Sequence, residues 1–272
     1  MLYSSSLQGE SMPRKDRLQY PGYYHIVNRG EERRKVFLHP DDYERFMELV
    51  ASMLEEFGIT MHAYCLMTNH YHLLLETHEE NLSEAMKYLN SNYSMYFNRK
   101  YKRTGHLWQG RFLSYYLCDE MHVWSVVKYI ERNPMQAGMV KAIDKYEYQS
   151  FFQWKHNEAH FNLLKDAIIF DMTLQEYDDY IDQELEEDIL AQIYTSPKII
   201  IKDGKMEVLY KRIETFFEQD KDIDRNDNIK KAYEYGYTKT EIARLVGLSS
   251  KSISNILKKA DTNSEHERSR IE

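Results

Sequence analysis

The fold is decided by the stretch ITMHAYCLMTNHYHLLLE, which runs from Ile59 to Glu76. Two apolar runs flank the turn-compatible pair TN, a pattern typical of a β-hairpin. Side chains alternate between the faces of a strand, so His70 and His72 share one face while Tyr71 takes the other. The two imidazoles lie about 7 Å apart along the backbone, close enough to bind one divalent cation. Two half-exposed strand histidines without a ligand are the alternative, and the spacing alone does not decide.

Elements of both types surround this hairpin. A strand is predicted at 22–30, a helix at 39–58, a second helix after the capping-box pair Asn81 and Glu84, and a strand at 111–118. A third helix is expected from about Asp119 to Asn133, where Pro134 should stop it. This order predicts an α+β fold with an antiparallel sheet.

The formal net charge of −8 argues against a uniformly basic nucleic-acid binder. The distribution is more informative, because residues 12–145 hold 18 Lys and Arg against 17 Asp and Glu, whereas residues 146–272 hold 18 against 26. The acidic excess therefore lies in the second half of the chain.

One basic stretch, RKYKRTGHLWQGR at 99–111, contains no acidic residue. It combines cations, which bind phosphates, with flat rings, which stack on unpaired bases, and thus predicts contact with single-stranded nucleic acid. A solvated basic loop is the alternative. The candidate DNA-binding residues are Arg99, Lys100, Lys102, Arg103, His106, Trp108 and Arg111.

The C-terminal half contains a second candidate DNA-binding element. Residues 146–223 are interpreted as a mostly helical acidic connector, in which a helical run from Trp154 to about Leu190, expected to present a solvated helix face, precedes a short strand and a turn at Asp203 and Gly204. Residues 224–260 are interpreted as a helix-turn-helix with a turn at Gly247. The second helix of such a module enters the major groove of duplex DNA, and a packing module that touches no DNA is the alternative. Residues 261–272 are expected to be a disordered tail. The outward-facing candidates are Ser250, Lys251, Ser254 and Asn255.

Neither a membrane span nor a secretory signal is evident, because no apolar run approaches about 20 residues and the start lacks an apolar core. We expect a soluble, cytoplasmic protein. Cys65 and Cys118 are the only cysteines, so neither a disulfide framework nor a cysteine zinc site is indicated.

The helix DEMHVWSVVKYIERNP explains why two histidines lie on one strand face. Its apolar stripe runs through Val123, Val126, Val127 and Ile130, and Tyr129 falls about 110° from the centre of that stripe. Asn133 lies one turn later on the same side and offers an amide oxygen. Two histidines, a tyrosine and an amide oxygen could together form a metal-assisted nucleophile site.

The sequence resembles the HUH single-tyrosine transposases, in particular the REP-associated tyrosine transposase branch. The resemblance covers roughly 13–145 and includes YYHIVNRG, HAYCLMTNHYHLLLE, GHLWQGRF and YIERNPMQAGMV in the order typical of that family. It implies a catalytic domain at 12–145 with a ferredoxin-like antiparallel sheet and helices on one face.

The resemblance also implies a chemistry and a set of partners. His70 and His72 would bind a divalent metal, Mg²⁺ or Mn²⁺, with Tyr71 packed behind them. Tyr129 would be the nucleophile, forming a 5′-phosphotyrosine and releasing a 3′ hydroxyl. Asn133 would be the third ligand, where many relatives outside this branch carry glutamine. The expected partner is single-stranded DNA with hairpin-forming repeats, with duplex DNA at the helix-turn-helix, no membrane, and a monomer or homodimer.

Two other functions remain open. One is a sequence-specific regulator whose nuclease site is vestigial, which the complete set of site residues opposes. The other is a replication or conjugation nickase, which the single-tyrosine layout disfavours. No residue is indicated as the general base, and His25, His62 and Glu76 are expected to be structural neighbours.

Overall fold

The histidine-containing hairpin forms as the sequence predicts. In a computed structural model, strands β2 (Ile59–Met67) and β3 (His70–Thr77) pair antiparallel on either side of a two-residue turn. The described residues are 19–185, 193–194, 198–202, 205–209, 213–218 and 225–258.

A four-stranded antiparallel sheet is built around β3. Strand β1 (Gly22–Arg29) pairs with β3, and β4 (Leu113–Leu117) pairs with β1, giving the order β2-β3-β1-β4. Helix α1 (Pro40–Phe57) leads from β1 to β2, and α2 (Leu82–Lys100) leads from β3 to β4. This is the ferredoxin-like strand order, and the predicted α+β class is confirmed.

Helices cover both faces of the sheet, which differs from the expected arrangement on one face. Tyr71 packs its ring 4.9 Å from that of Phe46 in α1, and its hydroxyl donates to the side chain of Asn90 in α2 at 2.9 Å. The opposite face meets a third helix, α3 (Glu120–Gln136), whose Tyr129 ring lies 5.6 Å from that of His72. Both faces of β3 therefore bury side chains: Tyr71 lies on the face covered by α1 and α2, and His72 on the face covered by α3.

Helix α1 is capped at its C-terminus by Gly58, which adopts a left-handed conformation (φ 60°) and donates its N–H to the carbonyl of Leu54. A side chain at this position would be strained, so glycine permits an abrupt change from helix to strand. Strand β2 begins at the next residue, Ile59.

Helix α3 continues through Pro134, contrary to the expectation that it stops at Asn133. A proline removes one N–H donor, but the turn is continued by the N–H of Ala137 to the carbonyl of Asn133 and by that of Met139 to Pro134. Asn133 is consequently held on regular helix, one turn after Tyr129.

The predicted capping box of α2 does not form. Asn81 instead donates its side-chain amide to the carbonyl of Phe57 at 2.8 Å, and its side chain makes no capping bond to the helix. A contact with the end of α1 thus replaces the local bond that the sequence pattern favours.

The acidic connector is less helical than expected. Helix α4 (Ser150–His156) is followed by two short 3-10 turns and by α5 (Leu174–Asp182). The remainder of its predicted helical run, 186–190, lies outside the described residues. The first compact unit extends to Tyr194 and includes these elements.

The second compact unit begins at Thr195. It contains a hairpin of β5 (Lys198–Lys202) and β6 (Lys205–Leu209), whose predicted turn at 203–204 lies outside the described residues. Strand β6 is not among the elements predicted from the sequence. Three helices follow, namely α6 (Thr215–Glu218), α7 (Arg225–Glu234) and α8 (Lys239–Val246). Gly247 then takes a left-handed conformation, and residues 250–258 are helical. The predicted tail, 261–272, lies outside the described residues, and no described helix is long and apolar enough to cross a membrane.

A buried carboxylate joins α1 to the end of α2. Asp42 is fully buried and accepts hydrogen bonds from the ammonium of Lys100 (2.6 Å), the hydroxyl of Tyr101 (2.7 Å) and the backbone N–H groups of Leu38 and His39. Burial alone would raise the pKa of Asp42, but these donors outweigh it and hold the pKa below its ordinary value.

We expect Asp42→Asn to destabilise the first unit by roughly 2 kcal/mol at pH 7, because an amide cannot accept all of these bonds. The stabilisation by Asp42 is present above the carboxyl pKa of the unfolded chain, near 3.9, and is lost as the pH falls through the lower folded value. Melting temperatures of both proteins between pH 7 and pH 2.5 test this. The difference between the two melting temperatures should be constant near neutrality and decrease in acid. A difference that stays constant throughout would contradict the assignment.

Candidate active site

The two strand histidines lie on the sheet face that α3 covers. Their ring centroids are 5.1 Å apart and their planes are nearly perpendicular, at 84°. Val27 and Arg29 of β1 lie directly opposite His72 and His70, respectively. The alternation of β3 therefore places both imidazoles together, as the sequence predicts.

His72 is held by one ring nitrogen and free at the other. Its Nδ1 lies 2.9 Å from Nε2 of His25 in β1, whereas its buried Nε2 has no hydrogen-bond partner among the described residues. Burial lowers the pKa of His72 well below its ordinary value, and His25 and His70 lower it further, so the ring is neutral at pH 7. If Nδ1 carries the proton and donates to His25, the lone pair of Nε2 is available to a metal.

His70 connects the strand to α3. Its Nδ1 lies 2.6 Å from the side-chain oxygen of Asn69, and a side-chain hydrogen bond joins it to Asn133. Burial lowers the pKa of His70 to about 4, the bond to Asn133 opposes this shift, and the nearby charge of Arg29 adds to it. His70, His72 and Asn133 are thus brought into one cluster.

Tyr129 projects from α3 beside this cluster. Val123, Val126, Val127 and Ile130 are buried, while Tyr129 is half-buried. Its ring lies 6.1 Å from that of His25, and its hydroxyl is hydrogen-bonded to the hydroxyl of Tyr194. The phenol is placed off the apolar stripe, as the helical periodicity predicts.

The three candidate ligands fit a divalent metal. Among the described residues no three His, Cys, Asp or Glu side chains form such a group, so the third protein donor would be the amide oxygen of Asn133. Two neutral imidazoles and one amide oxygen leave positions for phosphate oxygens and water on a cation such as Mn²⁺ or Mg²⁺. The unpartnered Nε2 of His72 is the observation that supports this fit.

A buried glutamate anchors the tyrosine helix. Glu131 accepts hydrogen bonds from the hydroxyls of Ser150 and Tyr177 and from the N–H of Phe151. Burial raises the pKa of Glu131 to about 7, while these three donors oppose the shift. Glu131 is not predictable from the local sequence pattern, because its partners lie 19 to 46 residues further along the chain.

His62 and Glu76 form a pair of their own. Nε2 of His62 lies 3.1 Å from the Glu76 carboxylate, and its Nδ1 accepts the N–H of Ile168 at 3.1 Å. These contacts attach the sheet to the segment that follows α4. Of the three expected neighbours of the site, His25 is the one that contacts a candidate ligand.

The basic stretch is only partly open to solvent. Arg99, Lys102, His106 and Arg111 are exposed and Arg103 is half-buried. Lys100 instead bridges Asp41 and Asp42. Trp108 is buried, with its indole N–H donated to the carbonyl of Asn90. Lys100 is thus engaged in salt bridges and Trp108 in the core, and the roles of both residues in DNA binding stay predictions.

A cavity of about 320 Å³ lies on the sheet face opposite the histidines. Lys87 and Arg111 are exposed side chains in its lining, so the opening is cationic. Lys87 was missed because it is separated in sequence from the basic stretch. The cavity is lined by Asn28, Ser83, Met86, Lys87, Asn90, Trp108, Gly110, Arg111 and Phe112.

In the second unit, the helical segment 250–258 presents a polar side. Ser250, Lys251 and Asn255 are exposed and Ser254 is half-buried. The inward residues Ile253 and Leu257 are buried in a small core with Ile242 and Ala243 of α8 and Ile229 and Ala232 of α7.

Residues 19–133 match the family model described as "Transposase IS200 like". The matched segment contains all four strands of the first sheet, both helices that connect them, and α3 as far as Asn133. In sequence, this segment is therefore similar to the IS200-like transposases. No curated protein matches the sequence.

Three solved structures show weaker similarity. A REP-associated tyrosine transposase bound to a REP hairpin is 17% identical with a TM-score of 0.44, over 53% of this chain and 84% of that chain. A transposase described as putative, from Deinococcus radiodurans R1, is 16% identical (TM-score 0.32, 47% and 95% coverage). A tRNA(His) guanylyltransferase from Saccharomyces cerevisiae is 11% identical (TM-score 0.30, 76% and 97% coverage). These similarities are too low to support an argument about function.

Proposed function

We propose that the chain is a metal-dependent transposase that cleaves and rejoins single-stranded DNA, at hairpin-forming repeats, through a 5′-phosphotyrosine on Tyr129. One observation carries the proposal: the Tyr129 phenol lies beside the cluster of His70, His72 and Asn133 within the family-matched segment.

The reaction requires an activated phenol. A free tyrosine has a pKa near 10 and is only about 0.1% ionised at pH 7. A bound divalent cation would supply Lewis-acid polarisation of the scissile phosphate. His70, His72 and Asn133 would hold that cation, and His25 would orient His72.

Bonds and protons balance without a further reactant. The Tyr129 oxygen forms a bond to phosphorus, the bond from phosphorus to the 3′ oxygen breaks, and the proton lost by the phenol is matched by one gained at the 3′ oxygen. The phosphotyrosine ester conserves the bond energy. A later 3′ hydroxyl can therefore reverse the reaction and reseal a strand without ATP.

Arg29 is a further candidate contact for the DNA phosphate. It is exposed, lies directly opposite His70 in the sheet, and is held at its Nε by the side chain of Gln109 at 3.0 Å. A guanidinium at this place would attract a phosphate to the metal cluster. Arg29 is not among the residues predicted from the sequence, because the register between β1 and β3 is not visible there.

The second unit would bind duplex DNA through a helix-turn-helix. Its exposed Lys251 and Asn255 lie on a helix whose other side is buried, which is the arrangement that a recognition helix needs. Cleavage and duplex binding would then be separable functions.

The metal assignment predicts that His70→Ala and His72→Ala each weaken Mn²⁺ binding and Mn²⁺-dependent cleavage by roughly 100-fold or more, because each removes a ligand. Single-strand affinity should change little. Mn²⁺ binding is measured by electron paramagnetic resonance of the free ion, with the exposed His78→Ala as the matched control. Undiminished cleavage by the double variant, or in a chelator, would rule out the assignment.

The nucleophile assignment predicts that Tyr129→Phe abolishes a denaturation-resistant protein–DNA adduct while preserving melting temperature and DNA affinity, since only the hydroxyl is removed. The assay uses wild-type protein, metal and a labelled hairpin-bearing single strand in a denaturing gel. Tyr115→Phe is the control. Adduct formation by Tyr129→Phe would contradict the proposal.

The duplex-binding assignment predicts that Lys251→Glu lowers affinity for a duplex target by roughly tenfold or more, because a phosphate contact is replaced by repulsion. Single-strand cleavage should be unchanged. Lys231→Glu, an equal charge change at an exposed position of α7, is the control in a fluorescence anisotropy titration. Equal losses for both variants would indicate a general charge effect and no recognition helix.

A further inference from the structure

A tyrosine from outside the family-matched segment reaches the candidate nucleophile. The hydroxyl of Tyr194 is hydrogen-bonded to that of Tyr129, and its ring lies 5.5 Å from that of Tyr115 and 5.8 Å from that of His25. Its neighbour Ile193 is fully buried, so this short segment is anchored in the first unit. Tyr194 therefore contacts the atom that is proposed to attack phosphorus.

Either hydroxyl can donate in this hydrogen bond while both phenols are neutral. Although the side chain is 42% exposed, burial raises the pKa of Tyr194 above its ordinary value, and the bond to Tyr129 raises it further. Both effects favour the protonated form of Tyr194. When the Tyr129 oxygen becomes negative, Tyr194 is the donor.

We propose that Tyr194 is a catalytic hydrogen-bond donor that holds the Tyr129 oxygen in place and stabilises negative charge on it. This inference rests on the proposed function. A preorganised donor aimed at an oxygen that becomes charged is a general means of lowering a barrier, and removing one such donor elsewhere costs about 10²- to 10³-fold in rate.

The donor acts in both directions of the reaction. During cleavage it stabilises the attacking oxygen before the bond to phosphorus forms. During rejoining the bond between phosphorus and the Tyr129 oxygen breaks, the electron pair goes to that oxygen, and Tyr194 stabilises it until a proton returns. Tyr194 retains its own proton throughout, so no additional reactant is required.

The first test uses the full-length chain with Tyr194→Phe, which removes the hydroxyl and keeps the ring beside His25 and Tyr115. Single-turnover adduct formation is measured against DNA concentration. We expect the maximal rate to fall by about 100-fold, with an unchanged half-saturating DNA concentration and melting temperature. Tyr115→Phe removes the hydroxyl of a tyrosine whose ring also lies beside Tyr194, and its rate should remain close to that of the wild type.

The second readout does not depend on catalysis. With 3-fluorotyrosine incorporated at position 129, the ¹⁹F chemical shift at fixed pH reports the hydrogen bond at that phenol. Tyr194→Phe should move this signal, and Tyr115→Phe should not.

The outcomes are separable. A faster adduct rate in Tyr194→Phe would overturn the proposal and show that the contact restrains the nucleophile, and an unchanged rate would show that the donor is not catalytic. An unmoved ¹⁹F signal would show that the hydrogen bond does not exist. If wild-type protein forms no adduct at all, the proposed function fails, while the ¹⁹F comparison still tests the contact on which this inference depends.

Discussion

The pairing of β3 with β1 fixes which side chains meet the helix that carries Tyr129. In this register His70 and His72 face α3, while Tyr71 is buried against Phe46 on the other side. A slip of one residue would exchange the two faces. It would place both imidazoles in the core and the Tyr71 phenol where the proposed metal ligands lie, so the packing of Tyr71 protects the geometry of the cluster.

Helices α4 and α5, which follow the family-matched region, hold the tyrosine helix α3 in place. Glu131 receives three hydrogen bonds from α4 and α5, and Arg132 donates to the carbonyl of Ile181 at 2.9 Å. These buried bonds fasten α3 to α4 and α5. The acidic connector, expected to present a solvated helix face, thus contributes side chains and backbone that hold the candidate nucleophile Tyr129 beside His72.

Local patterns predicted the parts of the site that lie within single elements. Strand alternation gave the shared face of the histidines, and helical periodicity placed Tyr129 off the apolar stripe. Partners that are distant in sequence were not predictable in this way: Glu131 bonds to α4 and α5, and Asn81 exchanges its helix cap for a contact with α1. The contact of Tyr194 with Tyr129 spans 65 residues and leaves no periodic signal at either end.

Two tyrosine hydroxyls share the site, so identifying the one that carries the DNA tests the account most directly. The adduct formed by wild-type protein with metal and a cleavable single strand would be digested to peptides, and the modified residue and the attached DNA end identified by mass spectrometry. We predict a 5′-phosphate linked to Tyr129. Linkage to Tyr194 or another tyrosine, linkage through a 3′-phosphate, or cleavage without any adduct would contradict the mechanism.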